Sequence, residues 1–356
     1  MSKNRISWLD MSRGIGIISV VIIHSILYKF RDQMFYSVLF DFLVVYVMPL
    51  FLFISGWLFE SGKNKYFSDK PKAIKNKFYR MMIPYFSFSI INYSLIILAL
   101  KIPFLAPIAN MGSTDFSSGS ILDYIFQILT YQGSMCKNLW FLYLLFILET
   151  LHILFPRFMG HPITTAVLFC LPFLQHTFEL PTIVQYFCAY SAYFSMGRLA
   201  LAYNDKIFSF KKPIVAIVVV FFISATVGVY SLKFYGIFDG AMQYVLVPIK
   251  AVLALSAIFT ICNLCKMLSN TKADGVLSFF GTRSMEIYLM HFPFITQGST
   301  ALIVKMIPSV PPFCASLAGI ILGLAVPILL SDLIIKKIPV LRFILFGVPV
   351  KKRVAK

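Results

Sequence analysis

The residues best suited to chemistry are ionisable side chains that lie within long apolar segments. They are Asp10, Arg13, His24, Glu149, Lys250, Arg283, Glu286 and His291. A charge in the hydrocarbon core of a membrane is costly unless it is paired or faces a polar cavity. Ionisable groups in such segments are therefore functional candidates.

The first apolar segment places three of these groups on one face of a predicted helix. Arg13 follows Asp10 by three residues, and His24 follows Arg13 by eleven, which is about three helical turns. At 1.5 Å per residue, Arg13 and His24 would lie about 16 Å apart along the axis. Asp10 can then pair with Arg13 near one membrane surface, while His24 stands in the opposite half. The alternative is that His24 only hydrogen-bonds to a neighbouring helix.

A later segment, VLSFFGTRSMEIYLMHF, carries a second histidine. Counted from the starts of their segments, His24 and His291 each lie fifteen residues in, which predicts a similar depth and a common polar cavity. Arg283 and Glu286 stand at positions i and i+3, so mutual neutralisation is their simplest role.

Two further segments each contain an ionisable residue that has no partner in its own helix. These residues are Glu149 and Lys250. Either residue could serve the chemistry, and a structural pair between the two is the alternative.

The connection from Glu60 to Arg80 is rich in lysine and ends in KFYRMMIPY. Most of its lysines are explained by the tendency of cytoplasmic loops to be basic. Arg80 differs because it directly abuts an apolar segment. Arginine binds phosphate through two parallel hydrogen bonds, so this position suits a phosphorylated cytosolic ligand.

The composition of the chain indicates that it folds in lipid rather than in water. The chain of 356 residues is 59% hydrophobic and 13% charged, against roughly a quarter charged in soluble domains. The apolar runs are continuous rather than alternating, which excludes a β-barrel. The sequence therefore predicts an all-α integral membrane protein in a lipid bilayer.

The charge and the cysteines of the chain indicate neither a nucleic-acid partner nor a metal site. The net charge of +18 comes from loop residues rather than from one soluble face, so we expect no nucleic-acid partner. Cys262 and Cys265 have no nearby histidine or second cysteine pair, so no metal site is predicted.

Apolar runs between polar or Pro/Gly punctuation predict about ten transmembrane helices. These are 8–28, 38–59, 80–100, 138–156, 162–178, 182–201, 213–232, 241–264, 276–298 and 312–335. The apolar segment 121–131 is too short to span, so an interfacial or re-entrant helix is expected there.

The lysines and arginines that lie outside the apolar part of these spans, including those near both termini, are unevenly divided between the two sides of the membrane, with 23 on one side and 6 on the other. Basic loops face the cytoplasm, which places both termini there. The first segment lacks a following small-residue cleavage site and leads into another span, so it is predicted to be a retained helix. Residues 1–338 are expected to form one transmembrane domain and residues 339–356 a basic cytoplasmic tail, with no appended soluble domain.

Motifs spread over nearly the whole chain resemble the integral membrane acyltransferase-3 family, which includes sugar and polysaccharide O-acetyltransferases related to fucose 4-O-acetylase. The motifs are WLDMSRGIGIISVVIIH with Arg13 and His24, MPLFLFISGWLF with Ser55 and Gly56, RMMIPY with Arg80, NLWFL with Trp140, and SMEIYLMH with His291. Members often have Arg-x-x-Arg before the third span, whereas this chain has Lys77 in the first of these places. Lysine keeps the charge but lacks the bidentate fork.

The resemblance implies transfer of an acetyl group from cytosolic acetyl-CoA to a hydroxyl of a cell-surface or lipid-linked sugar, without a bound cofactor, in the bacterial cytoplasmic (inner) membrane. His24 would be the catalytic base or nucleophile. The supporting roles are Arg13 and Asp10 at the donor passage, His291 and Glu149 in orientation or proton relay, Arg80, Lys77 and Ser55 in donor binding, and Trp140 in acceptor binding.

The alternative function is that of a transporter or flippase for a glycan or small solute. Ten spans and buried charges suit it, but the sequence shows no internal repeat of the kind common in secondary transporters.

Overall fold

A computed structural model describes residues 6–106, 121–131, 138–203 and 208–349. Every regular element in these ranges is helical, which confirms the all-α prediction. The α-helices are α1 (Ser7–Ser25), α2 (Met34–Ser61), α3 (Lys63–Ser68), α4 (Lys70–Leu100), α5 (Ile121–Thr130), α6 (Trp140–Leu154), α7 (Pro156–Met159), α8 (Pro162–Cys170), α9 (Leu174–Thr177), α10 (Thr182–Tyr203), α11 (Lys212–Phe234), α12 (Gln243–Met267), α13 (Lys272–Thr282), α14 (Ser284–Met290), α15 (Ser299–Met306), α16 (Pro312–Leu333) and α17 (Pro339–Phe346).

Six of the described helical segments are long and apolar enough to cross a membrane. They are Met34–Ser61, Lys70–Leu100, Lys212–Phe234, Gly240–Met267, Ser284–Met306 and Pro312–Lys337. Shorter apolar helices cover Trp140–Leu154 and Pro162–Phe173. The count of ten spans and the cytoplasmic location of both termini therefore stay predictions.

The predicted span 276–298 is wrong as a single helix. α13 ends at Thr282, α14 follows from Ser284, and a π-helical turn covers His291–Gly298. Phe292 has extended rather than helical backbone angles, and the following Pro293 has no N–H to give a helical hydrogen bond. The segment long enough to span runs instead from Ser284 to Met306.

Two other predicted boundaries also differ. α4 begins at Lys70, ten residues before the predicted span, because Asp69 caps it by accepting a hydrogen bond from the Lys72 N–H at 3.0 Å. The predicted span 162–178 is divided into α8, a 3-10 turn over Leu171–Phe173 and α9.

The chain divides into two compact units. Unit 1 comprises Met1–Lys63, Phe155–Leu180 and Gln185–Tyr288, and unit 2 comprises Asn64–Leu154, Pro181–Val184 and Leu289–Lys356. Each unit contains some of the residues predicted from the sequence to act in catalysis or binding.

In unit 1, α1 and α13 lie in direct backbone contact. A Cβ atom at Gly14 of α1 would overlap the carbonyl oxygen of Leu277, and one at Gly281 of α13 would overlap that of Asp10. Such close approach needs glycine on both helices. The contact fixes the segment of α1 that carries Asp10 and Arg13.

Asp274 adds a polar link between the same helices. Its carboxylate accepts hydrogen bonds from Ser7 Oγ at the start of α1 (2.5 Å), from the Asn270 N–H (3.0 Å) and from Ser278 Oγ (2.8 Å). These bonds, that of Ser7 first, hold the pKa of Asp274 below its ordinary value of 3.8. The ionised carboxylate therefore stabilises the start of the α1–α13 contact.

Acid is expected to remove this stabilisation. A carboxylate with a lowered folded pKa stabilises the fold above its unfolded pKa of about 3.9 and loses that effect as the pH falls through the folded value. Asp274→Asn should therefore lower the melting temperature of detergent-purified protein at pH 7 and have much less effect near pH 3. Glu179→Gln, at an exposed carboxylate, is the control. An equal loss at both pH values would contradict the assignment.

α2 and α10 form a second backbone contact in unit 1. A Cβ at Gly56 would overlap the Phe194 carbonyl oxygen, and one at Gly197 would overlap that of Phe53. One turn beyond Gly56, the side chain of Glu60 lies almost fully buried. The Ser-Gly motif of α2 thus has a packing role.

In unit 2, the short helix α5 confirms that 121–131 is helical. Tyr85 and Tyr143 donate hydrogen bonds to its Ile128 and Leu129 carbonyls, at 2.6 and 2.8 Å. The last carbonyls of a helix have no partner within it, so these tyrosines cap α5.

α17 occupies part of the predicted basic tail. It packs on α4, where Ser87 Oγ donates to the Ile344 carbonyl at 2.8 Å and the rings of Tyr79 and Phe343 lie 6.1 Å apart. The predicted tail therefore begins with a helix, α17, and this helix contacts α4, which carries Arg80.

Candidate active site

α1 is one uninterrupted helix, so the predicted spacing of its polar residues holds. The Arg13 guanidinium lies 3.4 Å from the Asp10 carboxylate, with 31% and 13% of the side chains exposed. His24 lies half-buried in the last turn. The helix therefore presents an ion pair near its start and an imidazole near its end.

The position of His24 suits proton transfer. The carboxyl end of a helix carries partial negative charge, which stabilises a cation within its last turn. An imidazole there can take a proton and hold the resulting positive charge.

Ser55 lies in unit 1 on α2. Its hydroxyl donates to the Phe51 carbonyl one turn earlier, at 2.8 Å. Its predicted part in donor binding stays a prediction.

Lys77 and Glu149 form a buried ion pair in unit 2. The Lys77 ammonium lies 2.8 Å from the Glu149 carboxylate, with 13% and 6% of the side chains exposed. The same ammonium lies 4.4 Å from the centre of the Tyr66 ring. Glu149 thus has a structural partner on α4 that the sequence did not suggest.

Arg80 lies three residues after Lys77 on α4, and it is exposed. Because Lys77 is buried and paired, Arg80 is the more accessible of the two cations for an anionic ligand.

The remaining predicted residues of unit 2 lie on α6 and at the end of α14. Trp140 begins α6 and is buried. His291 is fully buried at the start of the π-helical turn. The sequence also predicts that the polar stretch GSTDFSSGS (residues 112–120) helps to receive the acceptor. This stretch lies outside the described residues.

Arg283 and Lys250 are two further ionisable residues of unit 1, and their environments differ. The Arg283 guanidinium lies 4.1 Å from the centre of the Phe279 ring, close enough for a cation–π interaction. Lys250, on α12, is exposed.

Two ion pairs in unit 1 were missed by sequence reasoning. Arg198 of α10 donates from Nε and Nη2 to Glu60 Oε2, at 3.1 and 2.9 Å. The Lys233 ammonium of α11 lies 2.7 Å from the Asp41 carboxylate of α2. Asp41 lies inside the predicted span 38–59, so the test for ionisable residues in apolar segments could have found it.

The helices and their embedded charges define a multi-pass membrane protein. The family model described as an acyltransferase domain matches residues 6–332, and the chain belongs to this acyltransferase-3 family. It is therefore a membrane acyltransferase. A search of curated proteins and a search of solved structures each gave no match.

Proposed function

We propose that this protein is an O-acetyltransferase that transfers the acetyl group of cytosolic acetyl-CoA to a sugar hydroxyl of a cell-surface or lipid-linked glycan. The observation that carries the proposal is α1 of an acyltransferase-3 chain, which holds the Asp10–Arg13 pair and His24 along one continuous helix. The bacterial cytoplasmic membrane is the proposed location.

His24 supplies the proposed chemistry by one of two routes. In the direct route, the imidazole takes the proton of the sugar hydroxyl while its oxygen attacks the thioester carbonyl. The C–O bond forms, the C–S bond breaks, and the CoA thiolate leaves with the electron pair and is protonated. In the two-step route, an imidazole nitrogen attacks the thioester carbonyl, the C–N bond forms, and the C–S bond breaks with release of the CoA thiolate, which is protonated. The sugar oxygen then attacks the acetyl-imidazole, the C–N bond breaks, and the freed imidazole takes the hydroxyl proton. Mass spectrometry of protein denatured rapidly near neutral pH distinguishes the two routes, because only the second forms acetylated His24.

The other residues position the reactants in this proposal. Asp10 holds Arg13, whose guanidinium is partly exposed and can meet the donor. Arg80 binds a phosphate of CoA, while Lys77 and Glu149 keep α4 and α6 in register. His291 orients or relays a proton, and Trp140 contributes to acceptor binding.

Arg80→Ala is expected to weaken use of the donor. Loss of a charge-assisted hydrogen bond to phosphate is worth about 1.5–3 kcal/mol, which is roughly a ten- to hundredfold rise in the KM for acetyl-CoA. The acceptor KM should change much less.

Lys75→Ala is the matched control, because Lys75 is an exposed cation on the same helix. Steady-state kinetics with each substrate varied in turn makes the comparison. A donor KM that is unchanged in Arg80→Ala, or that rises equally in both variants, would contradict the role of Arg80.

Mass spectrometry of surface and lipid-linked glycans tests the proposed function in cells. Deletion of the gene is expected to remove one acetyl group from a glycan, and expression of the wild-type chain should restore it. Glycans that stay fully acetylated in the deletion strain would contradict a sugar acceptor.

A further inference from the structure

Pro84 interrupts the hydrogen-bond ladder of α4 at the residue that is proposed to bind the donor. Each N–H in an α-helix donates to the carbonyl four residues earlier, and proline has no N–H. Pro84 lies inside α4, so the Arg80 carbonyl lacks its usual helical partner and is crowded by the proline ring. The turn of α4 that carries Arg80 is therefore held less firmly than in an unbroken helix.

The end of α17 lies directly against this turn. A Cβ atom at Gly347 would lie 1.9 Å from the Tyr79 carbonyl oxygen and 2.8 Å from the Arg80 Cα. No side chain fits at such distances, so the two backbones touch only because residue 347 is glycine. Gly347 also has a left-handed φ of 61° and donates to the Phe343 carbonyl at 2.8 Å, which caps α17. The glycine that ends α17 is thus also the residue that contacts α4 at Arg80.

α17 contacts α4 on both sides of Pro84, within unit 2. Before the proline, Gly347 lies against the turn of Arg80. After the proline, Ser87 Oγ donates a hydrogen bond to the Ile344 carbonyl at 2.8 Å. Helices bend most readily at a proline. Because one short helix holds α4 on both sides of this point, it limits bending of α4 there.

This restraint bears directly on the Arg80 guanidinium. Lys77, one turn earlier, is anchored to Glu149 at 2.8 Å. The Arg80 side chain is exposed instead, so its position depends mainly on the backbone that carries it. Binding groups must be held to within about 0.5 Å of their working geometry, and two parallel N–H···O bonds to phosphate are especially sensitive to direction. A mobile turn at Arg80 would therefore weaken donor binding.

We infer that α17 spans the break at Pro84 to hold Arg80 in place for the donor, and that Gly347 is a positioning residue of the donor site. This inference rests on the proposed role of Arg80 and adds the element that holds it. Gly347 acts through the backbone of α4 and does not touch the donor. Loss of its contact lowers the affinity for acetyl-CoA and leaves the transfer step itself unchanged.

Gly347→Ala tests this role in the detergent-purified full-length chain. The new methyl group forces α17 away from α4, so the KM for acetyl-CoA should rise about tenfold, the lower end of the range expected for Arg80→Ala. The kcat and the acceptor KM should stay close to those of the wild type. Gly240→Ala is the matched control, because Gly240 has a similar φ of 60° and no atom of the described residues within 4 Å of its Cβ position. It carries the same backbone strain without the contact and should keep the wild-type donor KM.

Pro84→Ala supplies a readout that general damage to the fold would not give. Alanine restores an N–H that donates to the Arg80 carbonyl, so the turn no longer depends on α17. Gly347→Ala combined with Pro84→Ala should therefore recover most of the donor affinity that Gly347→Ala loses. A double variant with the same donor KM as Gly347→Ala would overturn the inference. So would a wild-type donor KM in Gly347→Ala, or an equal rise in Gly240→Ala.

Amide hydrogen exchange of residues 79–83 separates this inference from the proposed function. Exchange should be faster in Gly347→Ala than in the wild type and slow again in the double variant, because local opening follows the loss of restraint. Faster exchange with an unchanged donor KM, where Arg80→Ala does raise that KM, overturns the positioning role alone. Faster exchange where Arg80→Ala leaves acetyl-CoA use unchanged supports the restraint by α17 and contradicts the proposed donor role of Arg80.

Discussion

Replacement of His24 by alanine is expected to reduce acetyl transfer by about 10²- to 10⁴-fold, the range that general acid–base groups contribute. The physical reason is that no other group on α1 can take the hydroxyl proton and hold the positive charge at the end of the helix. Because His24 is half-buried and lies in the last turn of α1, its loss should leave folding and membrane insertion unchanged.

His161→Ala is the matched control for this variant. His161 is an exposed histidine whose Nδ1 accepts a hydrogen bond from the Ile163 N–H at the start of α8. Its replacement should retain near-wild-type transfer. Wild-type activity in His24→Ala would remove His24 from the mechanism.

Replacement of Glu60 by glutamine is expected to have the largest effect on stability. The carboxylate accepts hydrogen bonds from Arg198 and, at 2.6 Å, from Lys63. Glu60 and Arg198 are 6% and 7% exposed, and removal of one partner from a buried pair costs about 3–5 kcal/mol. The change leaves the arginine charge buried between α2 and α10, where Gly56 and Gly197 hold the backbones together.

Thermal unfolding in detergent measures this loss. Glu60→Leu combined with Arg198→Leu should recover much of the stability, because the pair is then replaced by apolar groups. Lys63→Gln should cost less than about 1 kcal/mol, since that lysine is 46% exposed. A double variant as unstable as Glu60→Gln alone would show that the pair is not the source of the effect.

The fold class could be predicted because each apolar run is itself the signal for a helix in lipid. The ends of the helices are harder to predict where charged residues interrupt the apolar pattern that indicates a span. The run of lysines before Arg80 is typical of a loop, although Asp69 and Pro71 are a cap and a first-turn proline that start α4 at Lys70. The interruption at Phe292 depends on local backbone geometry that the apolar pattern of 276–298 does not encode.

The arrangement of Asp10, Arg13 and His24 along α1 could be predicted because spacing within one helix fixes which residues share a face. Partners on other helices could not. Within the described residues, one helix, α5, lies between those that carry Lys77 and Glu149, and seven helices, α3–α9, lie between those that carry Glu60 and Arg198. Nothing in a single sequence shows which charged groups meet. Asp41 differs, because its position inside the predicted span 38–59 can be read from the sequence alone.

The most direct test of the central claim uses purified wild-type chain in detergent with [1-¹⁴C]acetyl-CoA and a membrane glycan extract. The label is expected to leave CoA and appear on a glycan, or slowly as free acetate when no glycan is added, and to stay on CoA with His24→Ala. Folded wild-type protein that leaves the label on CoA, and that instead moves unmodified glycan across vesicle membranes, would contradict an acetyltransferase and identify a transporter.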